Sequence, residues 1–200
     1  MIWLFKREGV IMRLIILGAG GFGKTIADIA GQLDRYESID FLDDNAKGDH
    51  VIGRLEDFEQ LISDDKEFYP AFGDNHLRYD WLIRLSDAKA AVATIIHKMA
   101  YVSETATIGK GSVVLPNAVI GTNCIVCNGV IINYGAIIDH DVLLGNGVHI
   151  APGVVIKGDN LIAAFSKIDS GSVINNRVYP FEEYPDDIAD GLDIGKADIE

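Results

Sequence analysis

The sequence predicts an α/β + β chain: a small parallel α/β domain followed by a coiled prism of six-residue repeats. Three observations carry this. Every sixth residue from Val102 to Ile174 is aliphatic: Val102, Ile108, Val114, Ile120, Val126, Ile132, Ile138, Leu144, Ile150, Ile156, Ile162, Ile168 and Ile174. The third residue after each is usually a turn former, as at Gly111, Asn117, Asn123, Gly129, Asp141 and Gly153, and the fourth is small or Val, as at Ala106, Ser112, Ala118, Cys124 and Val142. Before Val102 the pattern changes to apolar strands alternating with amphipathic helices, with a glycine-rich loop after the first strand.

A period of six fits neither the 3.6 of a helix nor simple strand alternation. It fits short flats joined by corners. Each flat turns one aliphatic side chain inward, and each corner takes Gly, Asn or Asp, which tolerate positive φ. Three flats close a turn, so residues 18 apart stack and build a continuous core, as in solenoids. With coils about 4.8 Å apart, roughly four coils make a prism about 20 Å tall. The hexapeptide pattern resembles the left-handed parallel β-helix; that resemblance supplies the handedness.

In chain order, residues 1–11 read as an N-terminal extension. Met12 is an alternative start, and the segment is too short for a signal peptide, with Lys6 and Arg7 after the apolar run. Residues 13–17 (RLIIL) read as a buried strand, GAGGFGK at 18–24 as a tight loop, and Phe22 to Leu33 as a helix with Ile26, Ile29, Ala30 and Leu33 on one face. A second strand covers 39–42 (IDFL) and ends at Asp43 and Asp44. A short strand near Val51–Ile52 leads to a helix near Leu55–Ile62. Residues 68–72 (FYPAF) read as a third main strand despite Pro70. A helix near His76–Leu85 follows, N-capped by Asp74 or Asn75, and then a last strand at 91–96 (AVATII). Strands alternating with helices imply a parallel sheet with right-handed crossovers. The predicted domains are 12–98 for the Rossmann-like α/β unit, 99–178 for the β-helix and 179–200 for an acidic tail. The two units meet near Ile96–Val102 without a flexible linker.

Composition narrows the function. The net charge is −13, and the last twenty residues contribute eight acids against one base, Lys196. Such a tail reads as solvated. No basic stripe favours nucleic acid, and no apolar run reaches the ~18 residues of a membrane span, so the expected location is cytoplasmic. Cys124 and Cys127 form a C-x-x-C pair that the repeat explains as a corner slot and a neighbour of inward-facing Val126; no second pair completes a zinc site.

Two stretches carry chemistry. Gly18, Gly20 and Gly23 satisfy G-x-G-x-x-G between a strand and a helix, where backbone N–H groups at the helix start receive a diphosphate. NAD would call for an acid about 20 residues on, and Asp43 stands 20 beyond Gly23, so spacing leaves NAD open; the length, about half a dinucleotide domain, suits a mononucleotide. The other stretch is 133–150 (NYGAIIDHDVLLGNGVHI). His140, flanked by Asp139 and Asp141, sits on a corner, where its side chain can point outward as a general base or as an ordinary exposed residue. His149 lies on a flat just before inward-facing Ile150.

With these residues in view, the sequence resembles the PglD/NeuD-like acetyltransferases of nucleotide-linked sugars, of the bacillosamine and sialic acid type. The resemblance covers roughly Arg13 to Gly158. It rests on GAGGFGK (18–24), FLDD (41–44), FGDNHLR (72–78), IIHKMAYVS (95–103), IIN (131–133) and DHDVLLGNGVHIAPG (139–153). It implies a homotrimer built through the β-helix, acetyl-CoA in the groove between neighbouring helices, and a nucleotide-linked amino sugar on the N-terminal domain. It implies His140 as general base, Asp141 (often Glu in relatives) orienting it, Asn133 lining the acceptor site, and His149 contacting acetyl-CoA. It also implies Gly158 as a backbone oxyanion donor and Gly18, Gly20, Gly21 and Asp43 holding the nucleotide. No metal is implied.

Three departures accompany it. Phe22 stands where some relatives have His, with loss or replacement of an acceptor contact. Phe165 and Arg177 occupy turn positions, where the turn chemistry decays. The chain leaves the beat at Tyr179-Pro180, about one coil early, where Tyr179, Phe181 and Tyr184 offer a cap for the open end of the prism. The expected activity is N-acetylation for surface glycan synthesis. Sialic acid O-acetylation stands close behind, a non-catalytic sugar-nucleotide-binding subunit with a shortened β-helix is the reading of another class, and an NAD-linked oxidoreductase comes third.

Overall fold

The computed structural model describes residues 12–175; the expected extension at 1–11, the acidic tail, Arg177 and the aromatics Tyr179, Phe181 and Tyr184 lie outside this range. Strand β1 (Met12–Leu17), helix α1 (Gly21–Gly31), β2 (Tyr36–Leu42), β3 (Val51–Gly53), β4 (Lys66–Pro70) and α2 (Asn75–Asp87) form the N-terminal unit. Its sheet is parallel, in the order β3-β2-β1-β4. β1 is central and is covered on both faces, which is why it reads as an unbroken apolar run. Leu14 and Ile16 pack on α1 through Ile26, Ile29 and Ala30. Ile15 and Leu17 pack with Phe58, Trp81 and Leu85 on the other side. The segment expected as a helix after Val51–Ile52 is a 3-10 turn, Leu55–Leu61. Asp74 caps α2 by accepting from the Leu77 N–H at 2.8 Å.

The expected last strand, 91–96, divides. Val92 makes one parallel bridge to Phe68, whereas Ile95–Ile96 pairs with Val113–Val114 and is already the first flat of the coil. The β-helix therefore begins one flat before Val102. It has fourteen two-residue strands on three faces, and each strand pairs in parallel with the one 18 residues away. The first face runs Ile95, Val113, Ile131, His149, Lys167; the second runs Tyr101, Val119, Ile137, Val155, Val173; the third runs Thr107, Ile125, Leu143, Leu161. All thirteen aliphatics of the beat, joined by Ile96, line one interior cluster. Both cysteines are buried and unpaired. Left-handed backbone recurs every six residues from Gly111 to Gly171.

Phe165 keeps this corner rhythm at φ 61° although a bulky side chain resists positive φ. The N-terminal unit holds it there. His76 stacks on its ring at 4.4 Å, Tyr79 meets it edge-on at 5.4 Å, and Asn75 Nδ2 donates to its carbonyl at 2.8 Å. The apparent decay of turn chemistry at this position is thus part of a domain contact. One coil up, fully buried Arg78 donates to the carbonyls of Gly129 (2.8 Å) and Gly147 (2.7 Å), while Leu82 packs on Gly111 and Gly129. Val113, Leu115 and Ile131 of the β-helix share a core with β1 and α1. The two units are joined by this shared core. Among the described residues no helix is long and apolar enough to cross a membrane.

Candidate active site

The glycine loop separates into two kinds of glycine. A Cβ on Gly23 would lie 1.9 Å from the Gly18 carbonyl oxygen, and Gly18 itself has φ +101° against Ala71 and Phe72. These two are needed by the turn. A Cβ on Gly20 or Gly21 would meet nothing within 4 Å. Packing does not require glycine at either position, and the N–H groups of the α1 first turn have neither intrahelical partners nor an acidic side chain in that turn. Phe22 is half-buried and packs into the core shared with Leu115 and Ile131. Asp43 closes the loop from below: its carboxylate accepts from the N–H of Ala19 (2.8 Å), Asn45 (2.8 Å) and Ala46 (2.7 Å). Those bonds, that to Ala46 foremost, hold its pKa below the ordinary carboxylate value. Asp43 shapes the loop through bonds to its own chain.

On the β-helix, Asn133 opens the corner between the first and second faces and His149 lies on the first face one coil below, with Asn133 Nδ2 and His149 Nε2 3.5 Å apart. His149 Nδ1 is buried without a partner. Burial first, then the charges of Arg78 and Lys167, depress the His149 pKa to about 4, so the ring is neutral at ordinary pH.

His140 occupies the next corner of the same coil, beyond the flat Ile137–Ile138. Its Nδ1 lies 2.8 Å from Asp141 Oδ2. A carboxylate only accepts, so the proton sits on Nδ1 and Nε2 offers its lone pair. Asp141 is at φ 55°, which turns its side chain back beside its neighbour and permits a contact that extended backbone forbids. Asn123, one coil above, donates to the other Asp141 oxygen at 3.1 Å. The hydrogen bond to Asp141, then the charge of Asp139, raises the His140 pKa, while Asp141 is held low by His140 and Asn123. The ring is about half exposed. One coil below stands Gly158, where a Cβ would sit 2.5 Å from His140 Cε1 and 2.6 Å from Nε2. Any side chain there would displace the imidazole. His140, Asp141 and Asp159 bring three ligand-type atoms within 4.8 Å of one another.

The structure thus gathers His140, Asp141 and Gly158 at one corner and Asn133 with His149 at another, at opposite ends of one flat. Asn123, which the sequence marks only as a turn former, joins the site through the same 18-residue spacing that relates His140 to Gly158. Arg78 and Asn75 carried no such signal, because polar residues on a helix ordinarily face solvent.

Residues 13–85 match the family model described as the PglD N-terminal domain. No curated protein matches the chain. Among solved structures, the acetyltransferase domain of PglB from Neisseria gonorrhoeae FA1090 is 36% identical, with 80% of this chain and 81% of that one covered and a TM-score of 0.78. The same domain is known in complex with acetyl coenzyme A. PerB from Caulobacter crescentus, in complex with CoA and GDP-perosamine, is 22% identical, with 82% of this chain and 92% of that one covered and a TM-score of 0.62. WeeI from Acinetobacter baumannii AYE is 23% identical, with 88% and 83% covered and a TM-score of 0.66. These last two share the fold. A parallel α/β unit with a glycine loop, a β-helix whose histidine–aspartate pair stacks on a glycine, and this degree of likeness agree with one another: the chain belongs to the family of PglD-like, hexapeptide-repeat acetyltransferases that includes the PglB acetyltransferase domain.

Proposed function

We propose that this acetyltransferase moves the acetyl group of acetyl-CoA to the amine of a nucleotide-linked amino sugar, with His140 as general base. The observation that carries the reading is the His140–Asp141 pair at 2.8 Å with the imidazole lying against Gly158. The sugar amine attacks the thioester carbon. His140 Nε2 takes the amine proton as the C–N bond forms, and the imidazolium is stabilised by Asp141. The Gly158 N–H donates to the developing oxyanion. Collapse of the tetrahedral species breaks the C–S bond, and the proton on His140 passes to the CoA sulfur. These steps need positioning, one base and one oxyanion donor; none is routed through a metal. Gly20 and Gly21 receive the diphosphate, with Gly18 and Asp43 shaping the loop. Asn133 lines the acceptor site, and neutral His149 contacts acetyl-CoA.

The second face supports a homotrimer. Its outward residues are Tyr101, Val119, Ile137, Val155 and Val173, an apolar column of which Tyr101, Ile137 and Val173 are 62%, 43% and 51% exposed. This face separates the His140 corner from the Asn133–His149 corner. A second copy docked on it supplies the other wall of a groove for acetyl-CoA.

The test is thiol release from acetyl-CoA against a panel of nucleotide-linked amino sugars, run beside His140→Ala. Turnover with one sugar that falls about 10²–10⁴-fold in the mutant is expected. Undiminished turnover in the mutant, or none with any sugar by the native protein, overturns the proposal.

A further inference from the structure

From Ala118 to Val154, the inward corner slot holds only Ala, Cys or Val: Ala118, Cys124, Val130, Ala136, Val142, Val148 and Val154. Asn160 breaks this run at the corner that carries Gly158. Its side chain is 2% exposed, and its Oδ1 is buried with no partner. An amide placed inside an aliphatic prism with half of it unsatisfied costs stability, so the other half must do something the fold does not otherwise provide. The Asn160 Nδ2 donates to the Lys157 carbonyl at 2.8 Å and, more weakly, to the Gly158 carbonyl at 3.4 Å.

The neighbouring corners explain the need. The Asp139 carbonyl, one coil above Lys157, accepts from Cys124 Sγ at 2.8 Å, and the Cys127 carbonyl accepts from Ser112 Oγ at 2.9 Å. In both, a slot residue 15 positions earlier turns the carbonyl inward. The residue 15 before Lys157 is Val142, which has nothing to donate. Asn160 provides the missing donor from within its own corner. The consequence falls on Gly158. The Lys157 C=O and the Gly158 N–H belong to one planar trans peptide and point opposite ways. With the carbonyl held inside the prism, the N–H is held outside, beside the His140 ring. No group among the described residues accepts from it. Asp159 N–H, the next along, is bonded to the His140 carbonyl at 3.1 Å and fixes the far end of the same corner.

We infer that Asn160 is the positioning residue of the oxyanion site: it orients the Gly158 peptide so that its N–H is presented to the thioester oxygen. This rests on the acetyl-transfer reading above and adds to it a residue that acts through Gly158 without touching substrate.

The experiment compares steady-state kinetics of the native protein, Asn160→Val, and the double variant Asn160→Val/Val142→Ser, each with its melting temperature and its KM for both substrates. Valine restores the slot's usual residue but leaves the Lys157 carbonyl free to rotate. The serine hydroxyl returns a donor by the route Ser112 uses. The expected result is a fall in kcat approaching the 10²–10³-fold lost with an oxyanion donor, with KM values within about twofold and recovery of at least tenfold in the double variant. A kcat for Asn160→Val equal to that of the native protein overturns the inference and leaves the acetyl-transfer reading intact. So does a loss that follows the melting temperature with no rescue. A native protein without turnover overturns both.

Discussion

In the proposed reaction the charge on one imidazole sets the pH dependence. As general base His140 must be neutral to accept a proton, and Asp141 raises its pKa above the ordinary 6.5. The acid limb of kcat/KM therefore has its midpoint above 6.5. Asp141→Asn removes the group that favours the protonated form, so the midpoint moves to lower pH while kcat falls, by about 10-fold or more, because the ring loses its orientation. A pH–rate profile of both proteins checks this; a midpoint that stays put shows that Asp141 does not govern the base. At this scale the corner position made an Asp141–His140 contact readable from the sequence, whereas Gly158 came only from the resemblance, although it stands 18 residues after His140 in the same column. The sequence was silent on Asn160, because a polar residue in a corner slot is indistinguishable from Ser112 until its bonds are seen. For Asp43 the spacing suits a ribose contact, and the structure adds that its carboxylate accepts from three N–H groups of its own chain.

Strands and helices were legible where one period ruled and less so where two units meet. The glycine loop shows the first case. Gly20→Leu fills open space, so melting should be nearly unchanged while KM for the nucleotide sugar rises at least 10-fold. Gly23→Ala places a methyl on the Gly18 carbonyl and should instead lower stability by about 2 kcal/mol or more, in the range of overpacking. Equal effects of the two on melting would remove the distinction between turn glycines and ligand glycines. Phe165 shows the second case. Its sequence position reads as a failed turn, yet its ring is the surface on which His76 and Tyr79 rest. Phe165→Ala keeps the positive φ and loses the contact, so thermal unfolding should report a loss of about 2 kcal/mol, less than for a fully buried ring. The split of residues 91–96 has the same origin: two apolar stretches of one run serve different sheets, and apolarity alone does not say which.

For the molecule as a whole, the prism's faces are unequal. The first is covered by the chain's own N-terminal unit through Val113 and Ile131, and the second presents bare Tyr101, Ile137 and Val173. Ile137→Glu puts a charge at the middle of that column. Light scattering should show three times the chain's mass for the native protein and a monomer for the variant, with acetyl-CoA turnover lost together with assembly. A monomeric native protein that turns over would show that one chain holds the complete site. That two architectures follow one another without a linker is readable from the change of period, but the polar contacts between them are not, since they depend on Arg78 and Asn75 reaching carbonyls 51 to 91 residues away.

The stacking of His140 on Gly158 has a further consequence, for how this enzyme can change. The spacing between the proposed base and the proposed oxyanion donor is the rise of one coil, set by ladder bonds such as that from the Asp159 N–H to the His140 carbonyl. Substitutions anywhere in the intervening loop of chain leave that rise alone. Losing or gaining a single residue there would slide every corner below it around the prism axis and carry Gly158 off the column. Such a chain can evolve freely in spelling but, between His140 and Gly158, only in whole verses of eighteen.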